Sequence, residues 1–294
     1  MDHTHYQYSA LPARVHPPTV RGLQAFVVLY LEHWDFASAS DALKDPRFVG
    51  EFGSFSPDYR SWSQREYGLR IGIFRVMDEL RAAGLRPVIA ANALAVRRLP
   101  ELVGQLQGWG CEWLAHGMAA TQMMHSGMPL DVQRAYIQDS ISTITQATGE
   151  SPLGWLSQDW GTTPDTPRLL AEAGICYTLD WSNDDQCYWL DTAPRLLNIP
   201  LSSEWDDVQC QWLRNLEPQA HADLTLAAFD RLHAECTQHQ RPAVFGLSIH
   251  PWVSGMPSRI RYLREVLKAL VQRPGVQWSD TRDIFQQHCP NEQE

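Results

Sequence analysis

The chain has 294 residues, long for an average domain but ordinary for a closed α/β barrel. Its apolar content of 44% supports a large core and excludes a chain that stays disordered. A formal net charge of -10 speaks against a nucleic-acid partner, because phosphate binding needs a basic stripe, and the excess carboxylates read as a solubilising surface.

Residues 1–20 are polar and rich in Pro and His, without the apolar centre of a signal peptide. The run at 25–31 (AFVVLYL) reads as a buried strand and is far too short to span a membrane. Residues 34–63 form the one long irregular segment, of a length often used for lids or interface arms. The spacing over 67–83 predicts a helix with Ile73, Phe74, Met77 and Leu80 on one face, ended by Gly84. A strand at 87–91, a helix at 100–108 and a strand at 112–115 follow. A long helix over 130–147 stops at Gly149. Next come a strand at 153–157, a helix at 165–173 and a strand at 175–179. The remainder reads as a strand at 196–200, a helix near 222–238, a strand at 243–249, a helix at 258–272 and a short strand at 276–278. The six cysteines (Cys111, Cys176, Cys187, Cys210, Cys236, Cys289) are far apart and contain no CxxC, so neither a zinc knuckle nor a disulfide framework is expected. A reduced, cytoplasmic setting follows as the expectation.

About seven β–α units imply a parallel sheet with helices outside it, closed or nearly closed into one barrel domain over 1–294. No GxGxxG or GxxxxGKS follows the first strand, which removes the dinucleotide and nucleoside-triphosphate classes. Parallel barrels collect their chemistry at the C-terminal ends of the strands. In this chain those ends carry Tyr30, Glu32 and Trp34; His116; Asp159; Asp184 and Asp185; Glu204; and His250 with Trp252. Each has a plainer reading: a His can satisfy a core hydrogen bond, an Asp can cap a turn, and a Trp is core by default. Their recurrence at one predicted end is what makes them a constellation.

At these positions the chain resembles the polysaccharide deacetylase superfamily, and within it the branch of allantoinase-like and cyclic-imide-hydrolase-like proteins. The resemblance runs over roughly residues 15–288. It is carried by VVLYLEHWDF at 27–36, REYGLRIGIFRVMDEL at 65–80, EWLAHGM at 112–118 and TGESPLGWLS at 148–157. LDWSNDDQCYW at 179–189, NIPLSSEWDD at 198–207 and LSIHPWVSGMPSRIRYL at 247–263 continue it. It implies a distorted (β/α) barrel of about seven parallel strands, hydrolysis of carbon–nitrogen bonds in amides, a place in carbohydrate metabolism for deacetylase-type members, and homo-oligomers.

Carried over by position, Glu32 stands where the family has its metal-binding Asp, His116 where it has its first metal histidine, and His250 where it has its late general acid. Tyr30 replaces the family's catalytic-base Asp, and Ala120 replaces the second metal histidine. Two protein ligands hold zinc weakly, so no metal is expected; were one bound, Glu32 and His116 would hold it. The expected function is therefore hydrolysis of a small or cyclic amide, such as an imide or ureide. Glu32 is expected to be the base, His116 to orient water or the oxyanion, and His250 to protonate the leaving nitrogen. Tyr30, Asp159, Asp184, Asp185 and Glu204 are expected to meet the substrate, with Trp34 and Trp252 as flat walls. The alternatives are a metal-dependent carbohydrate N-deacetylase and a barrel that binds without catalysis.

Overall fold

The computed structural model describes residues 4–17, 19–37, 57 and 59–289. The segment 34–63 therefore falls largely outside the described residues, and its suggested role as a lid or arm falls with it. Where that segment's ends are described, Phe36 lies edge-on to Tyr59 and Trp62.

Strand β1 (Leu23–Leu31) is buried at all nine positions. After it come α1 (Tyr59–Tyr67), a π-helical turn at Gly68–Gly72, and α2 (Ile73–Ala82). Three further units follow: β2 (Val88–Ala91) with α3 (Ala93–Arg98) and α4 (Pro100–Gly108), β3 (Glu112–Ala115) with α5 (Leu130–Thr148), and β4 (Gly154–Trp155) with α6 (Thr166–Glu172). The chain goes on through β5 (Tyr177–Thr178), β6 (Tyr188–Leu190), β7 (Leu196–Asn198), α7 (Pro218–His239) and β8 (Ala243–Ile249). It closes with α8 (Pro251–Ser254), α9 (Ile260–Val271), β9 (Gln277–Trp278) and α10 (Thr281–His288).

The sheet runs β6-β7-β5-β4-β3-β2-β1-β8, parallel except for β6, which lies antiparallel on β7. β9 pairs with the lower part of β1 (Gln24↔Gln277), and β2 pairs with its upper part (Val28↔Val88). The result is the distorted barrel expected of the sequence. Strand β6 and helices α3, α8 and α10 are additions to that expectation. Each is eight residues or fewer, too short to show a period. Phe74 was placed on the buried face of its helix, but it is 39% exposed, and Val76 takes the core position instead.

The alternation of β-strand side chains divides the core in two. On β1, Leu23, Ala25, Val27, Leu29 and Leu31 face the surrounding helices, whereas Phe26, Val28 and Tyr30 point into the barrel lumen. Val88 and Ala90 of β2, Leu114 of β3, Leu156 after β4 and Val244 of β8 share that lumen. Counting on by twos reaches Glu32, His116, Gln158 and His250, all just past their strands. Period two alone thus aims these four at the same mouth of the barrel.

The π-helical turn sets one wall of that mouth. A methyl group added at Gly68 would come within 2.6 Å of the Trp252 backbone nitrogen. One at Gly72 would overlap the carbonyl oxygen of Pro251. These glycines let α8 rest directly on the turn, backbone to backbone. Gly72→Ala is expected to lower stability by about 1–3 kcal/mol, the usual cost of overpacking, read as an earlier urea midpoint. A variant as stable as the parent would contradict this contact.

Candidate active site

Glu32 is 5% exposed and is met by four residues. Gln158 donates from Nε2 to its Oε1 at 2.9 Å, and the Trp252 indole N–H donates to its Oε2 at 3.2 Å. His116 Nε2 stands 3.9 Å from Oε1. Burial pushes the Glu32 carboxyl up, but His116 and His250 beside it, with the Gln158 amide, pull it down to about 2. Glu32 is therefore ionised at any ordinary pH.

His116 is 1% exposed, and its Nδ1 lies 2.6 Å from the Leu156 carbonyl oxygen. A carbonyl only accepts, so Nδ1 carries the proton, and in the neutral ring Nε2 is a lone pair turned toward the site. Nε2 has no hydrogen-bond partner of its own. The Asn92 amide bonds the His116 carbonyl and also accepts from His33 N, which ties the ends of β1 and β3 together.

His250 is held by Asp207, which bonds both its ring and its backbone: Nδ1 to Oδ1 at 2.6 Å, and the His250 N–H to Oδ2 at 2.9 Å. Ser254 Oγ also donates to Oδ2, at 2.5 Å. Asp206 Oδ2 is 3.8 Å from the same Nδ1. Burial lowers the imidazole's proton affinity, but Asp206 and Asp207 outweigh it and raise His250 to about 9. Desolvation, more than its neighbours, raises Asp206 above the usual carboxylate range. Tyr30 packs flat on His250 with ring centres 3.8 Å apart and edge-on to His116 at 5.2 Å. It fills the floor between the two imidazoles, and burial keeps its phenol well above the ordinary range.

Glu32, His116, His250 and Tyr30, picked from the sequence, are thus brought together. The other expected substrate contacts divide. Trp252 is in place but is 3% exposed. One face lies under the Arg65 guanidinium at 3.8 Å, and Trp212 approaches at 5.2 Å and 81°. Trp252 is therefore a clamp on Glu32, not an open wall. Trp34 stands beside it, with Arg65 over its ring at 4.7 Å. Asp159 is at the mouth, accepting from Gln209 Nε2 at 3.0 Å.

Glu204 points outward, its side chain 60% exposed and paired with Arg214. Asp184 and Asp185 are corrected outright. Asp184 pairs with Arg14 at 2.6 Å, and the Asp185 carbonyl accepts from Val244 at the start of β8. His250 follows the other end of that strand, roughly 20 Å away at about 3.3 Å per residue. The chain turns down into β6 after Asp180, and that turn carries both aspartates to the opposite mouth. The sequence selection passed over Gln158, Asp207 and Arg65. Gln158 had a signal, its lumen parity with Leu156; Asp207 and Arg65 lie on helical turns where no strand alternation points at the site.

The zinc pattern of the superfamily does not fit these residues. Ala120 offers no donor where a second histidine would be, and its N–H bonds the His33 carbonyl. His33 spends its ring on Asp35 and Arg98, and the His125 ring accepts from Gly127 N. The one three-group cluster with metal-like spacing among the described residues is Asp206, Asp207 and His250, whose Nδ1 is engaged by Asp207.

No protein-family model matches the chain. A Schizosaccharomyces pombe protein assigned as a polysaccharide deacetylase is 24% identical over 242 residues, covering 76% of this chain and 73% of that one. The solved structure of PuuE allantoinase superposes with a TM-score of 0.80 and 25% identity over 93% of both chains. A Pseudomonas aeruginosa PAO1 structure assigned as a polysaccharide deacetylase gives 0.80 and 24% over 93% of this chain and 94% of that one. Sequence and fold together bear out the resemblance to the polysaccharide deacetylase superfamily and to its allantoinase-like branch.

The Asp207–His250 pair makes a titration prediction. A histidine raised by a partner stabilises the fold fully below its unfolded value of about 6.5, and that contribution is lost as pH rises through about 9. In Asp207→Asn, the His250 ring resonance in NMR is expected to titrate at a clearly lower pH, and stability between pH 7 and 9 is expected to lose its slope. An unchanged His250 midpoint would remove Asp207 as the cause.

Proposed function

We propose that the protein is a metal-independent hydrolase of a small cyclic amide of the imide or ureide kind. The observation that carries this reading is the pairing, in one buried mouth, of His116 Nε2 with a protonated His250 across the ionised Glu32. Hydrolysis needs a proton acceptor for water and a proton donor for the leaving nitrogen, and this arrangement supplies both at once. Glu32, His116 and His250 are 5%, 1% and 6% exposed, which favours a small ring over a polymer chain. The likeness to an allantoinase over 93% of both chains supports the same class.

Glu32 and His116 exchange the roles expected of them. A carboxyl at about 2, already accepting from Gln158 and Trp252, is a poor base. His116 Nε2 is the better acceptor, and at 3.9 Å from Glu32 Oε1 the two can share one water. The water's proton passes to Nε2, its oxygen bonds the carbonyl carbon, and the ionised Glu32 balances the new imidazolium. Collapse of the tetrahedral intermediate breaks the carbon–nitrogen bond. The leaving nitrogen takes the proton from His250 Nε2, since Nδ1 stays on Asp207. The products are a carboxylic acid and a free N–H group, which accounts for one water, and the proton left on His116 returns to His250 through solvent before the next turnover.

Folded His116→Ala and His250→Asn proteins are expected to lose about 10²–10⁴-fold in turnover of cyclic imides or ureides, while binding the ring nearly as the parent does. The parent's rate should fall on the alkaline side near pH 9, where His250 loses its proton. Exhaustive chelation should leave the rate within about twofold, because the site offers two donors where a catalytic zinc takes three. Chelation that abolishes turnover, or turnover of an N-acetylated oligosaccharide with none of any ring, would favour the deacetylase reading instead.

A further inference from the structure

We propose that Gln158 is the specificity-determining residue of this site, its side-chain oxygen receiving an N–H of the substrate ring. The proposal rests on the cyclic-amide reading and narrows it to rings that carry at least one unsubstituted nitrogen.

Glu32 is ionised, and an ionised carboxylate only accepts, so the edge of Gln158 that faces it must be the NH₂ group. That fixes where the oxygen lies. Oε1 sits on the same carbon as Nε2, beside the Glu32 carboxylate, and Glu32 has no proton to offer it. Oε1 is buried and has no hydrogen-bond partner. A buried acceptor without a donor is unfavourable, and no covalent constraint on the side chain requires it. The backbone around Gln158 is held with equal insistence. Asp159 and Trp160, the next two residues, both sit at left-handed φ values of 50° and 52°. Residues other than glycine adopt that region only against a steric penalty. The turn is pinned by Trp160 N to the Ser157 carbonyl, and by Gln209 reaching Asp159. Strain of this kind persists where the surroundings enforce it, and it collects at ligand-binding turns.

The remaining hydrogen-bond capacity of the mouth then reads as a template. His116 Nε2 and Gln158 Oε1 are both acceptors left without donors. A ligand that satisfies them brings two donors: the attacking water at His116 and an N–H at Gln158. Rings of the imide and ureide class carry that N–H next to the carbonyl under attack, whereas a lactone or an N-alkylated ring does not. Sites built to bond a polar hydrogen reject the analogue lacking it far more strongly than apolar pockets reject an extra methyl.

The test compares hydantoin with its N1-methyl and N3-methyl isomers by calorimetric titration of the parent and of Gln158→Met, which keeps the side-chain length without the amide. The parent is expected to bind hydantoin at least about tenfold more tightly than one of the two isomers. In a folded Gln158→Met protein that ratio should narrow to within about threefold, with the loss falling on hydantoin. A folded variant that keeps the parent's ratio overturns the proposal. So does a parent that binds all three rings equally, an arm that needs no variant to fold, and that outcome leaves the cyclic-amide reading standing. A parent that binds none of the rings and hydrolyses none of a wider imide panel overturns both.

Discussion

A single buried negative charge organises the mouth of this barrel. Moving a carboxylate out of water is so unfavourable that it persists only when hydrogen-bond donors and positive charge surround it. Glu32 obtains those partners from three different places in the chain. Gln158 comes from the turn after β4, His116 from the end of β3, and Trp252 and His250 from the turn after β8. Each partner is also anchored in turn, His116 to the Leu156 carbonyl and His250 to Asp207. The ends of strands far apart in sequence are thereby tied to one point.

The Trp252 arm of that network reaches furthest into the surrounding helices. Its N–H can meet Glu32 only because α8 lies directly on the π-helical turn, which the missing side chains of Gly68 and Gly72 permit. Arg65, one turn earlier on α1, lies over the indole at 3.8 Å and over Trp212 and Trp34 at 5.1 and 4.7 Å. A guanidinium among three indoles is favourable when desolvated, by about 2 kcal/mol or more. Its positive charge also polarises the indole it covers. The abundance of tryptophan in the sequence thus has a local meaning here, since three of the rings make a rigid socket around one cation and leave one N–H aimed at the carboxylate.

Much of this was legible from period two alone. Lumen-facing positions on β1, β3 and β8 lead by twos to Glu32, His116 and His250, and a buried strand seldom violates its own alternation. The same count past Leu156 leads to Gln158, a neutral amide with no titratable group to draw attention to it. The rule failed where the chain left the strands. Asp184 and Asp185 follow β5 closely in sequence, but the chain there reverses into the antiparallel β6, so they end near Val244 at the far mouth. That reversal depends on the pairing of Tyr188 with Asn198, a tertiary choice invisible in a run of three residues. Asp207 and Arg65 act from helical turns whose direction is fixed only once the elements pack.

A second buried glutamate shows that burial alone does not make a site. Glu112 begins β3 at the opposite end of the barrel and is 4% exposed, nearly as enclosed as Glu32. Its partners are the hydroxyls of Tyr177 and Thr281 and the N–H of Arg282. Burial dominates there, helped by the charge of Asp280, and the carboxyl is pushed up to about 7. Glu32 meets two imidazoles instead and goes down to about 2. Hydroxyl partners suit a carboxyl group that can keep its proton, and Glu112 uses them to pin α10 beneath the sheet. The protonated His250 stabilises the anion, and the anion in turn helps to hold that proton. The difference between the two buried carboxyls therefore lies in what surrounds each: at Glu32 the surrounding groups include side chains that can themselves give and take protons.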